Sequence, residues 1–303
     1  MDKDLIDLSN LKKEEIEELI ESAADIKKNP DKYNKAMDQK TLLMIFAKPS
    51  LRTRVSFETG MTRMGGHAIY YDISTSPMGK GETISDTAQT VSGYVDIIMA
   101  RLFAHKDMEE LSKYSKVPVI NGLTDFNHPC QILSDLLTIR EKKGEFNNLK
   151  LAYLGDANNN VTHSLLYGCA AAGINISVGC PEEHSPKKEV VEKAKQIATK
   201  EVIITHNAEE AAKDADVIYT DSWMSYHIPA DEKEARMKVF MPYQVNKELM
   251  KHAKPDAVFM NCLPALRGME QTADVIDGKQ SIVFDQAENR MHMQNAIMLK
   301  LLK

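Results

Sequence analysis

Residues 41–66 of the chain read TLLMIFAKPSLRTRVSFETGMTRMGG. An apolar run (41–47) typical of a buried strand leads into the turn Pro-Ser-Leu-Arg-Thr-Arg (49–54), and a helix-like segment (55–66) follows. The free N–H groups and the dipole at the start of a helix favour anions. Two hydroxyls and two guanidiniums in the turn can donate to the same anion. The junction therefore predicts a phosphate site.

The same turn has a simpler interpretation, in which Ser50 and Thr53 only cap the helix and the arginines face solvent. The hydroxyls alone do not separate the two interpretations, because Ser and Thr are common caps. Arg52 and Arg54, which fall within the same five residues, favour the anion site.

Strand-like and helical segments alternate along nearly all of the 303 residues. The apolar runs that read as strands are 41–47, 67–72, 95–101, 117–123, 150–156, 175–181, 201–206, 216–221 and 256–262. Such apolar runs with helices between them indicate parallel sheets that are covered on both faces. A long helical stretch (128–144) separates the two halves. Residues 243–254 read as a helix in the second half, and residues 285–303 read as a final helix. We predict an α/β fold with two doubly wound parallel-sheet domains joined by a long helix, and with the C-terminal helix packing back on the first domain.

Composition limits the classes of partner. The hydrophobic content of 43%, the charged content of 27% and the length are those of a globular chain with two domains. The formal charge of −6 and the lack of a basic stripe argue against nucleic acid as the main partner. No apolar run approaches the ~18 residues of a membrane span, so no membrane partner is expected. Four cysteines without metal-type or disulfide spacing, and an acidic N-terminus unlike a signal peptide, indicate a cytoplasmic protein.

Polar side chains follow several of the predicted strands, where parallel sheets collect ligand groups. They are Ser50, Arg52, Thr53, Arg101, His128 and Gln131 (which come after Leu123), Asn158–Asn160, Asp221 and Cys262. Each has an ordinary alternative: Arg101 as a surface arginine, His128 as a helix cap, and Cys262 as a core thiol. Their occurrence together at strand ends favours a substrate site.

Five segments resemble the aspartate/ornithine carbamoyltransferase family, and most closely its ornithine carbamoyltransferases. They are SLRTR with VSFE (50–58), HPCQ (128–131), GDANNN (155–160), CLP (262–264) and DQAENR (285–290). The resemblance spans essentially the whole chain, in order and spacing. It implies an enzyme that transfers the carbamoyl group of carbamoyl phosphate to the side-chain amine of L-ornithine, giving L-citrulline and phosphate, with no cofactor and no metal.

The resemblance also implies roles for individual residues. Carbamoyl phosphate would be bound by Ser50, Leu51, Arg52, Thr53, Arg101, His128, Gln131, Cys262, Leu263 and Arg290. Ornithine would be bound by Leu123, Asn160, Asp221, Ser225 and Tyr226. The catalytic residues would be Arg101, His128 and Cys262. Residues 1–135 with helix 286–303 would form the carbamoyl-phosphate domain, and residues 146–285 the ornithine domain. Family members assemble as trimers, which implies a homotrimer or an assembly of trimers whose neighbouring subunit supplies Lys80 and Glu82.

Two segments depart from the usual pattern of ornithine carbamoyltransferases. Ser225-Tyr226-His227 stands in place of Ser-Met-Gly, and Asn261 stands in place of the histidine before Cys-Leu-Pro. Both departures lie on the amine side, so another amine such as putrescine remains the alternative second substrate. Asn160 favours ornithine, because its amide can donate to a carboxylate that putrescine lacks.

Two other classes of protein are alternatives. In a nucleotide-binding oxidoreductase, the strand–GDANNN–helix segment would hold a dinucleotide. It lacks G-x-G-x-x-G, because Gly155 stands alone, and Asp156 would repel a pyrophosphate. A non-catalytic binding homologue is disfavoured by the intact Arg52, His128 and Gln131. No HExxH motif or Cys/His spacing indicates a metal site.

Overall fold

The structure is a computed structural model that describes residues 3–75, 78, 81–224 and 228–303. The chain forms two compact units, each with its own parallel sheet. The first unit comprises Met1–Leu137 and Glu288–Lys303, and the second comprises Thr138–Ala287. Helix α5 (Pro129–Lys143) runs from the first into the second. The predicted fold class, with two parallel-sheet α/β domains joined by a long helix, is confirmed.

The first unit contains a four-stranded sheet with the order β2-β1-β3-β4. Its strands are β1 (Thr41–Phe46), β2 (His67–Asp72), β3 (Ile97–Arg101) and β4 (Val119–Leu123), and all pair in parallel. Its helices include α1 (Lys13–Lys28), α2 (Leu51–Arg63), α3 (Ile84–Val91) and α4 (His105–Tyr114). Five consecutive residues of β1 are buried, as expected of a strand covered on both faces.

The strand order of the first sheet reverses between β1 and β3. The chain proceeds from β1 outward to β2, then returns to β3 and proceeds outward to β4 on the other side. Ligands of open α/β sheets bind beyond the carboxyl ends of the strands at such a reversal. Phe46 at the end of β1 pairs in register with Arg101 at the end of β3. The turn after β1 therefore lies next to Arg101.

The second unit contains a five-stranded parallel sheet with the order β7-β6-β5-β8-β9. Its strands are β5 (Lys150–Leu154), β6 (Asn175–Gly179), β7 (Val202–Thr205), β8 (Val217–Tyr219) and β9 (Val258–Met260). Its helices include α6 (Asn160–Ala172), α7 (Lys188–Ile197), α8 (Ala208–Ala212), α9 (Lys233–Phe240), α10 (Lys247–Met250) and α11 (Ala273–Ile276). The order reverses between β5 and β8, so the ends of these two strands meet at the second switch point.

Helix α12 (Val283–Leu301) ends the chain. It begins slightly earlier than the predicted residue 286, and from Glu288 onward it belongs to the first unit. The predicted return of the C-terminal helix to the first domain is therefore confirmed. In the part of the chain that the structure describes, no helix has the length and apolar character needed to cross a bilayer.

Two helices differ from their sequence predictions. Helix α2 begins at Leu51, so Leu51, Arg52 and Thr53 form its first turn and are not part of a preceding loop. The segment 243–254 reads as one helix, but only α10 is α-helical there. Val245 donates its N–H to the carbonyl of Glu270 at 3.0 Å, which holds it in an extended bridge and prevents a longer helix.

Candidate functional site

The start of α2 combines a helix cap with a set of donors. Ser50 is the N-cap, and its hydroxyl accepts from the Thr53 N–H at 3.3 Å. The same hydroxyl donates to Thr53 Oγ1 at 3.1 Å. Both interpretations of this turn are therefore compatible, because a capping hydroxyl also lies where an anion at the helix start would bind.

His128 lies among positive charges in the first unit. Burial lowers the pKa of His128 well below its usual value of 6.5. The charges of three arginines lower this pKa further; in order of effect they are Arg290, Arg101 and Arg52. Arg290 and Arg101 are themselves buried. His128 is therefore neutral at pH 7, and three cations lie close enough to it to favour a bound anion.

A hydrogen-bond chain joins α12, α5 and α2 within the first unit. Arg290 donates to Gln131 Oε1 at 2.6 Å and to Thr53 Oγ1 at 3.4 Å. Gln131 donates through Nε2 to Asp135 at 2.8 Å. Because Gln131 accepts from Arg290 and donates to Asp135, these two hydrogen bonds fix the orientation of its amide, with the oxygen facing Arg290. The structure thus brings residues far apart in sequence, Thr53, Gln131 and Arg290, into one network.

Lys48 is a cation beside this site that the sequence did not single out. It is half-buried, and its Nζ lies 4.5 Å from the centre of the Phe103 ring. Burial lowers the pKa of Lys48, and the charge of Arg101 lowers it further. Its position directly before Pro49-Ser50 could have indicated that it belongs to the site. A lysine at the end of a strand is, however, usually interpreted as a solvent-exposed residue.

In the second unit, the ends of β8 and β9 bring two predicted site residues together. Asp221 follows β8 and Cys262 follows β9, and these strands are neighbours in the sheet. The thiol of Cys262 donates to Asp221 Oδ1 at 3.1 Å. Both side chains are half-buried. Because its thiol proton is already donated to a carboxylate, Cys262 suits orientation of a ligand better than nucleophilic attack.

Asn261, the departure from the usual histidine, is part of the fold of this turn. It is fully buried, and its Oδ1 accepts from the Leu263 N–H at 2.8 Å. Its Nδ2 donates to Gln271 Oε1 at 3.0 Å, and its backbone N–H donates to Gln286 Oε1 at 3.0 Å. Leu263 has a positive φ of 57° and is followed by a cis peptide bond to Pro264. Asn261 therefore holds Leu263 in a conformation that L residues rarely adopt.

Glu270 is a buried carboxyl that no motif indicated. Its Oε1 accepts from the Leu266 N–H at 2.6 Å. Burial raises the pKa of Glu270 to about 7, and the nearby charge of Asp221 also raises it. Glu270 thus contacts the turn after Cys262 and lies near enough to Asp221 to be affected by its charge.

Asn160 and Asp156 lie at the end of β5. Asn160 is the first residue of α6, whose N-cap is Asn159. Asp156 forms an ion pair with Arg236 of α9. The argument that Asp156 would repel a pyrophosphate is weaker than the sequence indicates, because Arg236 compensates part of its charge. The missing glycines remain as evidence against a dinucleotide site.

The remaining predicted residues are distributed as follows. Leu123 ends β4 in the first unit, and its carbonyl accepts from the Leu102 N–H at 3.0 Å. Leu51 is in the first turn of α2, and Leu263 is in the second unit. Ser225, Tyr226, His227 and Lys80 lie outside the described residues. Among residues 3–75, 78, 81–224 and 228–303, no group of three or more His, Cys, Asp or Glu side chains is arranged to hold a metal ion.

Two family models match the chain, one in each half. Residues 3–141 match the carbamoyl-P binding domain of aspartate/ornithine carbamoyltransferase, and residues 147–301 match its Asp/Orn binding domain. The chain therefore belongs to the aspartate/ornithine carbamoyltransferase family. One similar protein is the ornithine carbamoyltransferase of Thermococcus kodakarensis, which is 50% identical over 301 residues, covering 98% of this chain and 95% of that protein.

Solved structures extend the similarity to the fold. The structure of ornithine carbamoyltransferase from Pyrococcus furiosus is 50% identical, with a TM-score of 0.94 over 97% of this chain and 95% of that chain. Ornithine transcarbamoylase from Giardia lamblia is 44% identical, with a TM-score of 0.91 over 99% of this chain and 98% of that chain.

Proposed function

We propose that the chain transfers the carbamoyl group of carbamoyl phosphate to the side-chain amine of L-ornithine, giving L-citrulline and phosphate. The observation that carries this proposal is the set of three arginines around a neutral His128, beside the capped start of α2. A site with this charge suits a phosphorylated substrate. Relatives that are 50% identical along nearly the whole chain and are named ornithine carbamoyltransferase support ornithine as the second substrate.

The first turn of α2 binds the phosphate group in this proposal. The donors are the side chains of Ser50, Arg52, Thr53 and Arg101 and the N–H of Leu51. Phosphate leaves as a multiply charged group, so cationic donors that are already in place interact more strongly as the charge develops. Catalysis here needs no covalent enzyme intermediate.

The carbonyl and the amide end of the carbamoyl group have separate partners. Arg101, Thr53 and His128 polarise the carbonyl oxygen, and they stabilise the oxyanion of the tetrahedral intermediate. The carbamoyl NH₂ is a donor and therefore needs acceptors. Gln131 Oε1 and the Leu263 carbonyl are acceptors, whereas Arg290 has none and acts by orienting Gln131.

The second unit binds the amino acid in this proposal. Asn160 donates to the α-carboxylate, and Asp221 accepts from the α-ammonium. A carboxylate accepts several hydrogen bonds, so Asp221 can accept from the Cys262 thiol as well. Cys262 lies next to the attacking amine and orients it. Leu123, Ser225 and Tyr226 complete the proposed amine site.

A panel of amines tests the proposal. Each amine (ornithine, putrescine and lysine) is assayed with carbamoyl phosphate, and both phosphate and the carbamoylated product are measured. Ornithine should give the highest kcat/KM. Asn160→Ala should narrow the preference over putrescine by roughly 10- to 150-fold, because a donor to a charged carboxylate contributes about 1.5–3 kcal/mol. A higher kcat/KM for putrescine than for ornithine would refute ornithine as the second substrate. It would not affect the proposal that carbamoyl phosphate is the first substrate.

We also propose a cytoplasmic homotrimer, or an assembly of trimers. In this proposal, which follows the family resemblance, Lys80 and Glu82 of a neighbouring subunit contribute to the phosphate site. Light scattering on the purified protein should give the mass of three chains or a multiple of it, and a monomeric active enzyme would contradict the proposal.

A further inference from the structure

Arg236 of α9 joins two strand ends of the second unit. Its Nε donates to the carbonyl of Trp223 at 2.7 Å, and its Nη2 pairs with the carboxylate of Asp156. Trp223 comes two residues after Asp221, and Asp156 lies between β5 and Asn160. One guanidinium therefore bridges the two segments that carry the residues proposed to hold ornithine.

The bridge is buried and closely packed. The side chains of Arg236 and Asp156 are only 12% and 9% exposed. The guanidinium lies 4.9 Å from the centre of the Phe240 ring, and this ring stacks on Trp223 at 5.7 Å. A Cβ atom on Gly155 would approach the Trp223 Nε1 to 2.8 Å, so the turn after β5 packs directly against the indole. Packing this close leaves little freedom for either strand end.

Hydrogen bonds of Asp156 connect Arg236 to the start of α6. Its side chain accepts from the Asn158 N–H at 3.2 Å, and its carbonyl accepts from the Tyr153 hydroxyl at 2.6 Å. The same carbonyl accepts from Asn159 Nδ2 at 2.5 Å, and Asn159 Oδ1 caps α6 by accepting from the Thr162 N–H at 2.9 Å. The next residue is the proposed carboxylate donor.

We propose that Arg236 is a positioning residue for the amine substrate. It holds the ends of β5 and β8 at the separation at which Asn160 and Asp221 bind one amino acid. This inference rests on the ornithine site proposed above. Because the proposed phosphate donors belong to the first unit, loss of Arg236 should weaken the binding of ornithine selectively.

Three variants test the bridge by steady-state kinetics. Arg236→Met removes both bonds, and Arg236→Lys keeps a charge opposite Asp156 but lacks the planar fork that reaches Trp223. Lys238→Met is the control, because Lys238 is exposed on the same helix. Arg236→Met should lower kcat/KM for ornithine by roughly 10- to 100-fold, since a misplacement of about 1 Å can reduce a rate by 10²-fold. The loss should appear as a higher KM for ornithine, because Asn160 and Asp221 then hold the substrate less well. The KM for carbamoyl phosphate should stay within about twofold of wild type.

Trp223 gives a second measurement, because it is the only tryptophan in the sequence. Its emission should move to longer wavelength in Arg236→Met, move less in Arg236→Lys, and stay unchanged in Lys238→Met. Equal increases in both KM values, or a lower Tm with an unchanged KM for ornithine, would overturn the positioning role.

If Arg236→Met does not fold, the positioning role is tested with Arg236→Lys. A higher KM for ornithine with a nearly unchanged KM for carbamoyl phosphate would again support it. The wild-type enzyme is assayed first. Absence of ornithine turnover there would refute the proposed function, and the variants test Arg236 only after that turnover is established.

Discussion

Replacing Glu270 by Gln should change how the stability of the second unit depends on pH. Glutamine keeps an oxygen that accepts from the Leu266 N–H, and it cannot ionise. The carboxyl titrates near 4.5 in the unfolded chain and at about 7 in the folded one, mainly because it is buried. The folded state therefore holds the proton more tightly, so wild-type stability is complete below pH 4.5 and is lost as the pH rises through 7.

The magnitude follows from this difference in pKa. Each pKa unit corresponds to ~1.36 kcal/mol, so ionisation of Glu270 lowers the free energy of unfolding by about 3 kcal/mol once both states are ionised. About 2.5 kcal/mol of that loss falls between pH 5 and pH 8. Between pH 5 and pH 8 the free energy of unfolding of Glu270→Gln should therefore increase by this amount relative to that of wild type. Burying the amide NH₂ of the glutamine changes the free energy of unfolding by an amount that does not depend on pH. The test is therefore the pH dependence of the difference in stability, and not its absolute value.

Urea unfolding at pH 5, 6, 7 and 8 measures the slope, with Trp223 emission as the probe because Trp223 and Glu270 belong to the same unit. Asp221→Asn provides the control, since its charge contributes to the raised pKa and the slope should shrink in that background. A difference between wild type and Glu270→Gln that stays constant from pH 5 to pH 8 would refute the reasoning.

Three further outcomes are expected. Arg101→Ala and Arg52→Ala should each lower kcat/KM by roughly 30-fold to several thousand-fold, because removing one partner of a buried charge pair costs about 2–5 kcal/mol; near-normal activity in both would exclude the phosphate site. Of the four thiols, Cys262 should be the first to react in the native protein, since the other three are buried, although its hydrogen bond to Asp221 should make it slower than a free thiol; a thiol titration with and without denaturant checks this, and a second thiol that reacts as early would contradict it. The kcat/KM for ornithine should rise about tenfold per pH unit from pH 6, because the attacking amine must be neutral and an alkyl ammonium titrates near ~10.4. A profile that is flat to pH 8 at saturating carbamoyl phosphate would argue against attack by the neutral amine.

Sequence patterns were sufficient to predict the strands and to select candidate site residues in the first unit. All nine predicted strands are present, because a strand covered on both faces must be apolar along its length, as in TLLMIF. The turn after β1 was recognisable because its hydroxyls and guanidiniums are adjacent in sequence. The position of Arg101 followed from its place at the end of a strand.

The residues that the sequence did not reveal depend on partners far along the chain. Arg236 pairs with Asp156, which lies 80 residues earlier, and an arginine in an amphipathic helix reads as a surface residue. Glu270 has no motif, and its raised pKa arises only from burial in the folded unit. The helix predicted at 243–254 is shortened because Val245 pairs with the segment at Gln271, a contact that local propensity does not contain.

The first turn of α2 is already closed by its own hydrogen bonds. The Ser50 hydroxyl accepts from Thr53 and donates to it, within a backbone that is already helical. An anion that binds there replaces internal hydrogen bonds and does not need to order a loose segment, so the conformational entropy that it must overcome is small. Because neutral hydrogen bonds are exchanged for others, the net gain comes from charge. The turn should therefore bind dianionic phosphate more tightly than neutral groups of the same size, so the capped helix start selects ligands by their charge.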